Sequence, residues 1–179
     1  MRSLRLRAMF RVLLISTGGT IEKTYDEFAG VLANHVSVLD VMLASLELRG
    51  VDIERLSLMN KDSLDMTTAD HDLIAREVVA RAPSVDGIVI VHGTDRLAVS
   101  GERIHACMAT LGGATRPVVL TGAMRPYELR RTDAVQNLTE ALIAVQLLGP
   151  GVYACMHNRV LAFPGVQKDA RAGTFTRHA

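Results

Sequence analysis

Hydrophobic positions in this chain follow two rhythms that alternate along its length. Short continuous apolar runs predict buried strands, and apolar residues at every third or fourth position predict amphipathic helices. Val12–Ser16 (VLLIS) reads as a first strand. Val38–Arg49 reads as a helix stopped by Gly50, and Ile53–Met59 as a second strand. Thr67 and Asp70 form a capping box ahead of Leu73, Ile74, Val78 and Val79, which places a second helix over Thr67–Ala82. Gly87–Val91 (GIVIV) is the most β-like run in the chain. A third helix spans Arg96 to Leu111, with Ile104, Cys107, Met108 and Leu111 on one face. Val118–Thr121 is a fourth strand, and Val135, Leu138, Leu142 and Val145 place a fourth helix over Thr132–Leu148. Gly151–Met156 is a fifth strand, and the final stretch reads as irregular.

Strands alternating with helices imply right-handed βαβ units and a mainly parallel sheet covered on both faces. The expected architecture is a single three-layer α/β domain over residues 1–179, flavodoxin/Rossmann-like, with strand order 2-1-3-4-5. Strands 1 and 3 then flank the topological switch point, where ligands of such sheets bind beyond the carboxyl ends of the strands. The chemistry is therefore expected just after Ser16 and just after Val91.

Composition narrows the functional classes. Net charge is +1 and no run of Lys and Arg reaches five, so nucleic acid and acidic membranes are not expected partners. No run of 18 apolar residues exists, so no membrane span is expected. The start, MRSLRLRAMFRVLLIS, resembles a signal peptide only superficially: Arg11 interrupts the apolar part and TGG stands where a small-residue cleavage site would be. Met9 is an alternative start. Cys107 and Cys155 lie in apolar stretches and read as buried free thiols of a reducing cytoplasm.

Candidate chemistry follows the expected strand ends. After the first strand, Thr17-Gly18-Gly19-Thr20-Ile21 offers two hydroxyls beside a tight glycine turn. It is either an exposed nucleophile with amide donors for an oxyanion, or a plain turn or phosphate loop lacking its usual Lys. After the third strand comes His92-Gly93-Thr94-Asp95. Thr94 or Asp95 can simply cap the next helix, but a second Thr beside a carboxylate sits at the other lip of the same crevice. His92 is a base or a packed core histidine, and its place at the strand end favours packing or loop support. Lys168 stands out because the chain has 17 Arg and only three Lys. Arg cannot lose its proton, so a Lys marks either a site needing a deprotonatable amine or a solvated surface position.

These segments together resemble the bacterial-type L-asparaginase family. TGGTI at Thr17–Ile21 and HGTD at His92–Asp95 resemble its two signature segments. Lys61–Met66 (KDSLDM) resembles its substrate-carboxylate loop, Pro117–Pro126 (PVVLTGAMRP) a core segment, and Gly151–Phe175 the stretch carrying its catalytic lysine. The resemblance implies Thr20 as nucleophile, Tyr25 in the following flexible loop hydrogen-bonded to it, and Thr94, Asp95 and Lys168 as a proton-handling triad. It implies that Asp95 binds the α-ammonium of L-asparagine and Ser63 its α-carboxylate. Gly19, Leu64, Gly93 and Ala123 complete the expected substrate-binding set. Hydrolysis through a threonine acyl-enzyme would need no metal and no organic cofactor.

Two departures from the family pattern stand out. Leu64 occupies a position where many members carry a polar amide, which removes a substrate contact. The family's usual C-terminal domain finds no counterpart in this sequence, so the chain is expected to resemble members made of the N-terminal domain alone. Apolar surface left by that domain, with a mean hydropathy of +0.21, leads to the expectation of a homo-oligomer, a dimer or tetramer. The expected surface is the fourth helix, whose apolar stripe Ala141, Ala144 and Leu148 extend. Competing readings are an amidase for another carboxamide and a non-catalytic asparagine- or aspartate-binding module.

Overall fold

The computed structural model describes residues 9–34 and 37–177. The alternative starts at Met1 and Met9 differ by residues 1–8, which lie outside the described residues. In chain order the strands are β1 (Phe10–Gly18), β2 (Thr24–Asp26), β3 (Val31–Ala33), β4 (Val51–Lys61), β5 (Gly87–Val91), β6 (Pro117–Thr121), β7 (Gly151–Met156), β8 (Arg159–Ala162), β9 (Val166–Asp169) and β10 (Thr174–Arg177). The α-helices are α1 (Leu39–Ala44), α2 (Thr68–Arg81), α3 (Leu97–Thr110) and α4 (Ala134–Leu147).

The main sheet has the order β4-β1-β5-β6-β7-β8. Its first five strands are parallel and reproduce the expected 2-1-3-4-5 arrangement, and β8 adds an antiparallel edge. The turn into β8 uses His157 and Asn158, both at positive φ (54° and 59°), the conformation that tight hairpins require.

The alternation of side chains along the central strands builds two cores. Leu13, Ile15, Ile88 and Ile90 face α2 and α3, meeting Ile74, Val78, Ile104 and Met108. Val12, Leu14, Val89 and Val91 face α1 and α4, meeting Leu39, Met42, Leu138, Leu142 and Val145. Both faces of β5 are buried, which explains its unbroken GIVIV sequence. Each such side chain contributes roughly 1.5–3 kcal/mol on burial, so the two cores fix the strand ends that carry the site.

The expected capping box forms: the Thr67 hydroxyl accepts from the Asp70 N–H while the Asp70 carboxylate accepts from the Thr67 N–H. Three expectations need correction. The first helix ends at Ala44 rather than Arg49, because the Ser45 hydroxyl and N–H both turn back to the Met42 carbonyl. The final stretch is not irregular: β9 and β10 form an antiparallel hairpin pinned by buried Val166 and Phe175. The apolar residues assigned to an outward stripe on α4 face inward. Ala141 and Ala144 are buried and Leu148 packs on the same core, whereas the exposed apolar side chains of α4 are Ile143 and Leu147.

Candidate active site

The parallel order puts the switch point between β1 and β5. The ends of these strands are tied together there, with the Thr17 hydroxyl donating to the Val91 carbonyl at 3.1 Å. Beyond them the backbone of three loops meets with almost no side chain between. Gly18 and Gly19 have φ of 92° and 83°, a region that favours glycine. A Cβ on Gly18 would sit 2.5 Å from the Lys61 nitrogen, and one on Gly19 would collide with the Gly93 backbone. A Cβ on Gly93 would meet the Ser63 hydroxyl at 2.5 Å. An irregularity in the β1–β4 pairing, between Ser16 and Gly18, carries the Ser63 turn into this crossing. The glycines in TGGT and HGT are thus needed for close approach of the loops, a reason that neither segment shows alone.

Lys168 reaches the crossing from β9. Its ammonium donates to the Thr94 hydroxyl at 2.8 Å and to the Asp95 carboxylate at 2.9 Å. Thr94 is buried, while Asp95 is 40% exposed and open to a ligand. Among the residues expected from sequence, these three are joined directly. Thr20 opens the short 3-10 turn Thr20–Glu22 after Gly19 and is partly exposed. Ser63 lies fully buried with its hydroxyl unpartnered among the described residues. An unsatisfied buried hydroxyl costs about 1–3 kcal/mol, which a ligand oxygen can recover. Leu64 is 60% exposed at the rim, and Ala123 is wholly buried. Tyr25 lies on the β2–β3 hairpin and is 57% exposed. Its phenol makes no hydrogen bond to Thr20 among the described residues; its backbone N–H is held by Glu128.

His92 is fully buried, in keeping with a supporting role. Its Nδ1 lies 2.8 Å from the Gly93 carbonyl, which can only accept, so Nδ1 carries the proton. Its Nε2 is then bare and accepts from the Ser100 hydroxyl at 2.7 Å. Ser100 in turn accepts from His71 Nδ1 at 2.7 Å, and the two imidazoles stack with centroids 6.3 Å apart. Burial pushes the His92 pKa down to about 4, so the ring is neutral at physiological pH.

Sequence reasoning missed several supports of the site. Lys23 donates to Asp62 at 2.6 Å, joining the segment after Thr20 to the turn that holds Ser63. The Lys23 ammonium holds the Asp62 carboxyl below its usual range. Asn34, at the far end of the β2–β3 hairpin, donates to the Gly19 carbonyl at 2.9 Å. Buried Asp133 accepts from the Met124 and Arg125 amides, Asn137 and His157, fixing the loop after β6. All three lysines of the chain are paired to carboxylates, two of them at the site, a pattern visible in the sequence only as their rarity.

Among the described residues no helix is long and apolar enough to cross a membrane. The family model "Asparaginase, N-terminal" matches residues 11–175. The L-asparaginase of Thermococcus kodakarensis is 33% identical over 160 residues, covering 88% of this chain and 47% of the relative. The structure of that thermostable enzyme superposes with a TM-score of 0.82 at 31% identity, covering 94% of this chain and 51% of that one. A glutamyl-tRNA(Gln) amidotransferase subunit from Haloquadratum walsbyi is 34% identical over 148 residues, covering 82% of this chain and 33% of the relative. The chain thus spans half or less of the length of these relatives. The match over nearly all of its residues, with the crossing loops where the family model extends, shows that the chain belongs to the asparaginase family.

Proposed function

We propose that the chain hydrolyses the side-chain amide of L-asparagine to L-aspartate and ammonia, with Thr20 as nucleophile. The observation that carries this reading is the Lys168–Thr94–Asp95 cluster, built from segments far apart in the chain and joined at 2.8 and 2.9 Å. In this reading Lys168 enters the reaction as the free amine, and the Thr20 hydroxyl attacks the side-chain carbonyl while its proton passes through Thr94 to that amine. The tetrahedral oxyanion is met by backbone N–H groups, each typically worth ~3 kcal/mol. Ammonia leaves with a proton returned through Thr94 and Lys168, and water cleaves the aspartyl ester on Thr20. Asp95, the open carboxylate, holds the α-ammonium, and Ser63 the α-carboxylate once its turn admits the ligand. Gly19, Gly93 and Ala123 offer backbone contacts, Leu64 closes the rim without a hydrogen bond, and Tyr25 closes over Thr20 when the hairpin moves. The steps use only this chain's side chains and backbone.

The free thiols Cys107 and Cys155 fit a reducing compartment, and we place the reaction in the cytoplasm. We also propose a homo-oligomer that covers Ile143 and Leu147 of α4, which are 53% and 79% exposed. The resemblance to the amidotransferase component favours one second reading, in which the amide cleaved belongs to another carboxamide and the ammonia serves a partner. Ammonia release from L-asparagine by the purified chain and by Thr20→Ala tests the first reading. Release by the wild type and its loss in the variant support it; activity on another carboxamide alone moves the assignment to the second.

A further inference from the structure

The two threonine loops share a feature that the catalytic roles above leave unused. In each, a side chain from behind the loop donates to the carbonyl of the glycine that precedes the threonine. Asn34 Nδ2 donates to Gly19 O at 2.9 Å, and His92 Nδ1 donates to Gly93 O at 2.8 Å. A trans peptide is planar, with its C=O and N–H directed oppositely. Holding the Gly19 carbonyl toward Asn34 therefore aims the Thr20 N–H away from it, and holding the Gly93 carbonyl toward His92 does the same for the Thr94 N–H. Neither threonine N–H is hydrogen-bonded among the described residues. We infer that His92 and Asn34 are positioning residues for the oxyanion site, each fixing a Gly–Thr peptide plane so that the threonine N–H is presented to the developing charge. The inference rests on the proposed hydrolysis at Thr20 and adds to it the residues that aim its donors.

The two holders are built differently. His92 is the inner end of a chain running His71 Nδ1–H to Ser100 Oγ–H to His92 Nε2, and this chain fixes its tautomer and its ring plane. Ser100 is wholly buried and His71 nearly so, which shields the chain from competing water. Asn34 is half-buried, and the Glu22 N–H shares its acceptor at 3.2 Å. Loss of Asn34 therefore leaves the Gly19 carbonyl partly held, and its effect is the smaller of the two.

The test is steady-state kinetics on L-asparagine for His92→Leu, His92→Asn and Asn34→Ala, with folding monitored by circular dichroism and thermal melting. Asparagine at position 92 places an amide N–H where Nδ1–H stood, so it can hold the Gly93 carbonyl without the link to Ser100. An N–H that is misaimed loses part of the ~10²–10³-fold worth of an oxyanion donor. The expected result is a kcat reduced by roughly tenfold or more in His92→Leu and by less in Asn34→Ala, with KM little changed in both. His92→Asn should recover most of the lost kcat. Folded His92→Leu and Asn34→Ala chains with wild-type kcat would overturn the inference while leaving the hydrolytic reading intact. So would an equal loss in His92→Asn and His92→Leu that tracks their melting temperatures, because a packing role predicts that pattern. A wild-type chain without amidase activity that Thr20→Ala abolishes would overturn both.

Discussion

The loop after β5 and the loop after β1 carry equivalent Gly–Thr peptides, yet the fold supports them in opposite ways. The β5 loop is buried: His92 is sealed among Ser100 and His71, Thr94 is inside, and Lys168 reaches both Thr94 and Asp95. The β1 loop leads into the β2–β3 hairpin, where Tyr25 is 57% and Phe28 96% exposed. It is held by links near the surface, Lys23 to Asp62, Asn34 to Gly19 and Glu128 to the Tyr25 amide. The contrast teaches a division of labour. On the proposed reading, groups that must hold protons in fixed geometry belong to the preorganised side, and groups that must let substrate in belong to the side with breakable links.

The sharpest way to break this comparison is at the preorganised side. Thr94→Ala and Lys168→Met should each lower kcat by ~10²-fold or more on L-asparagine, the usual scale for losing an acid–base group. Near-normal kcat in either variant would remove the cluster from the mechanism.

The second effect is on stability. Burial lowers the His92 pKa from 6.5 to about 4, so the unfolded chain takes up the proton more readily than the folded one. The stability this represents is present above the unfolded value and is lost as pH falls from about 6.5 toward 4, by roughly 3 kcal/mol at full titration. Melting temperature should fall across that window in the wild type and less steeply in His92→Asn; equal slopes would show that His92 is not the group responsible.

A smaller effect concerns the rim. Leu64 offers no hydrogen bond, so the chain should prefer asparagine over glutamine in kcat/KM, and Leu64→Gln should raise activity on glutamine. A hydrogen bond to a charged group is worth roughly 1.5–3 kcal/mol, which bounds the gain. Comparable values for the two amides in the wild type would contradict this use of the rim.

Smallest is the surface link. Lys23 and Asp62 are 23% and 29% exposed, and a pair of this kind is worth about 1 kcal/mol or less. Lys23→Ala should raise KM a few-fold at nearly constant kcat, because the link orders the ligand-admitting side only. A fall in kcat instead would mean that both loops belong to the rigid side.

The central strands were more legible in the sequence than the supports of the site, for physical reasons. Strands buried on both faces leave unbroken apolar runs, so β1, β5, β6 and β7 could be placed closely and the crevice between β1 and β5 anticipated. Thr67 and Asp70 announced the start of α2 through their capping chemistry. The β9–β10 hairpin left no such run, since only Val166 and Phe175 of its eight residues are buried and Lys168 sits between polar neighbours. The rarity of lysine and the resemblance, not periodicity, singled out Lys168 there. On α4 the wide apolar stripe misled: Ala141 and Ala144 are small enough to let the helix approach the sheet, and the outward residues are Ile143 and Leu147. Asn34 and Ser100 could not be read at all, because Asn34 acts through one hydrogen bond to a group distant in the chain and Ser100 bridges two histidines on other elements.

The central claim is that Thr20 is the nucleophile, and the most direct measurement is peptide mapping by mass spectrometry after acid quench during turnover of L-asparagine. Wild type and Thr20→Ala should be compared under rapid quench, which traps the ester before water cleaves it. An aspartyl ester on the peptide containing Thr20, absent in Thr20→Ala, is the predicted result. An ester on Thr94, or rapid turnover with Thr20 replaced, would contradict the account.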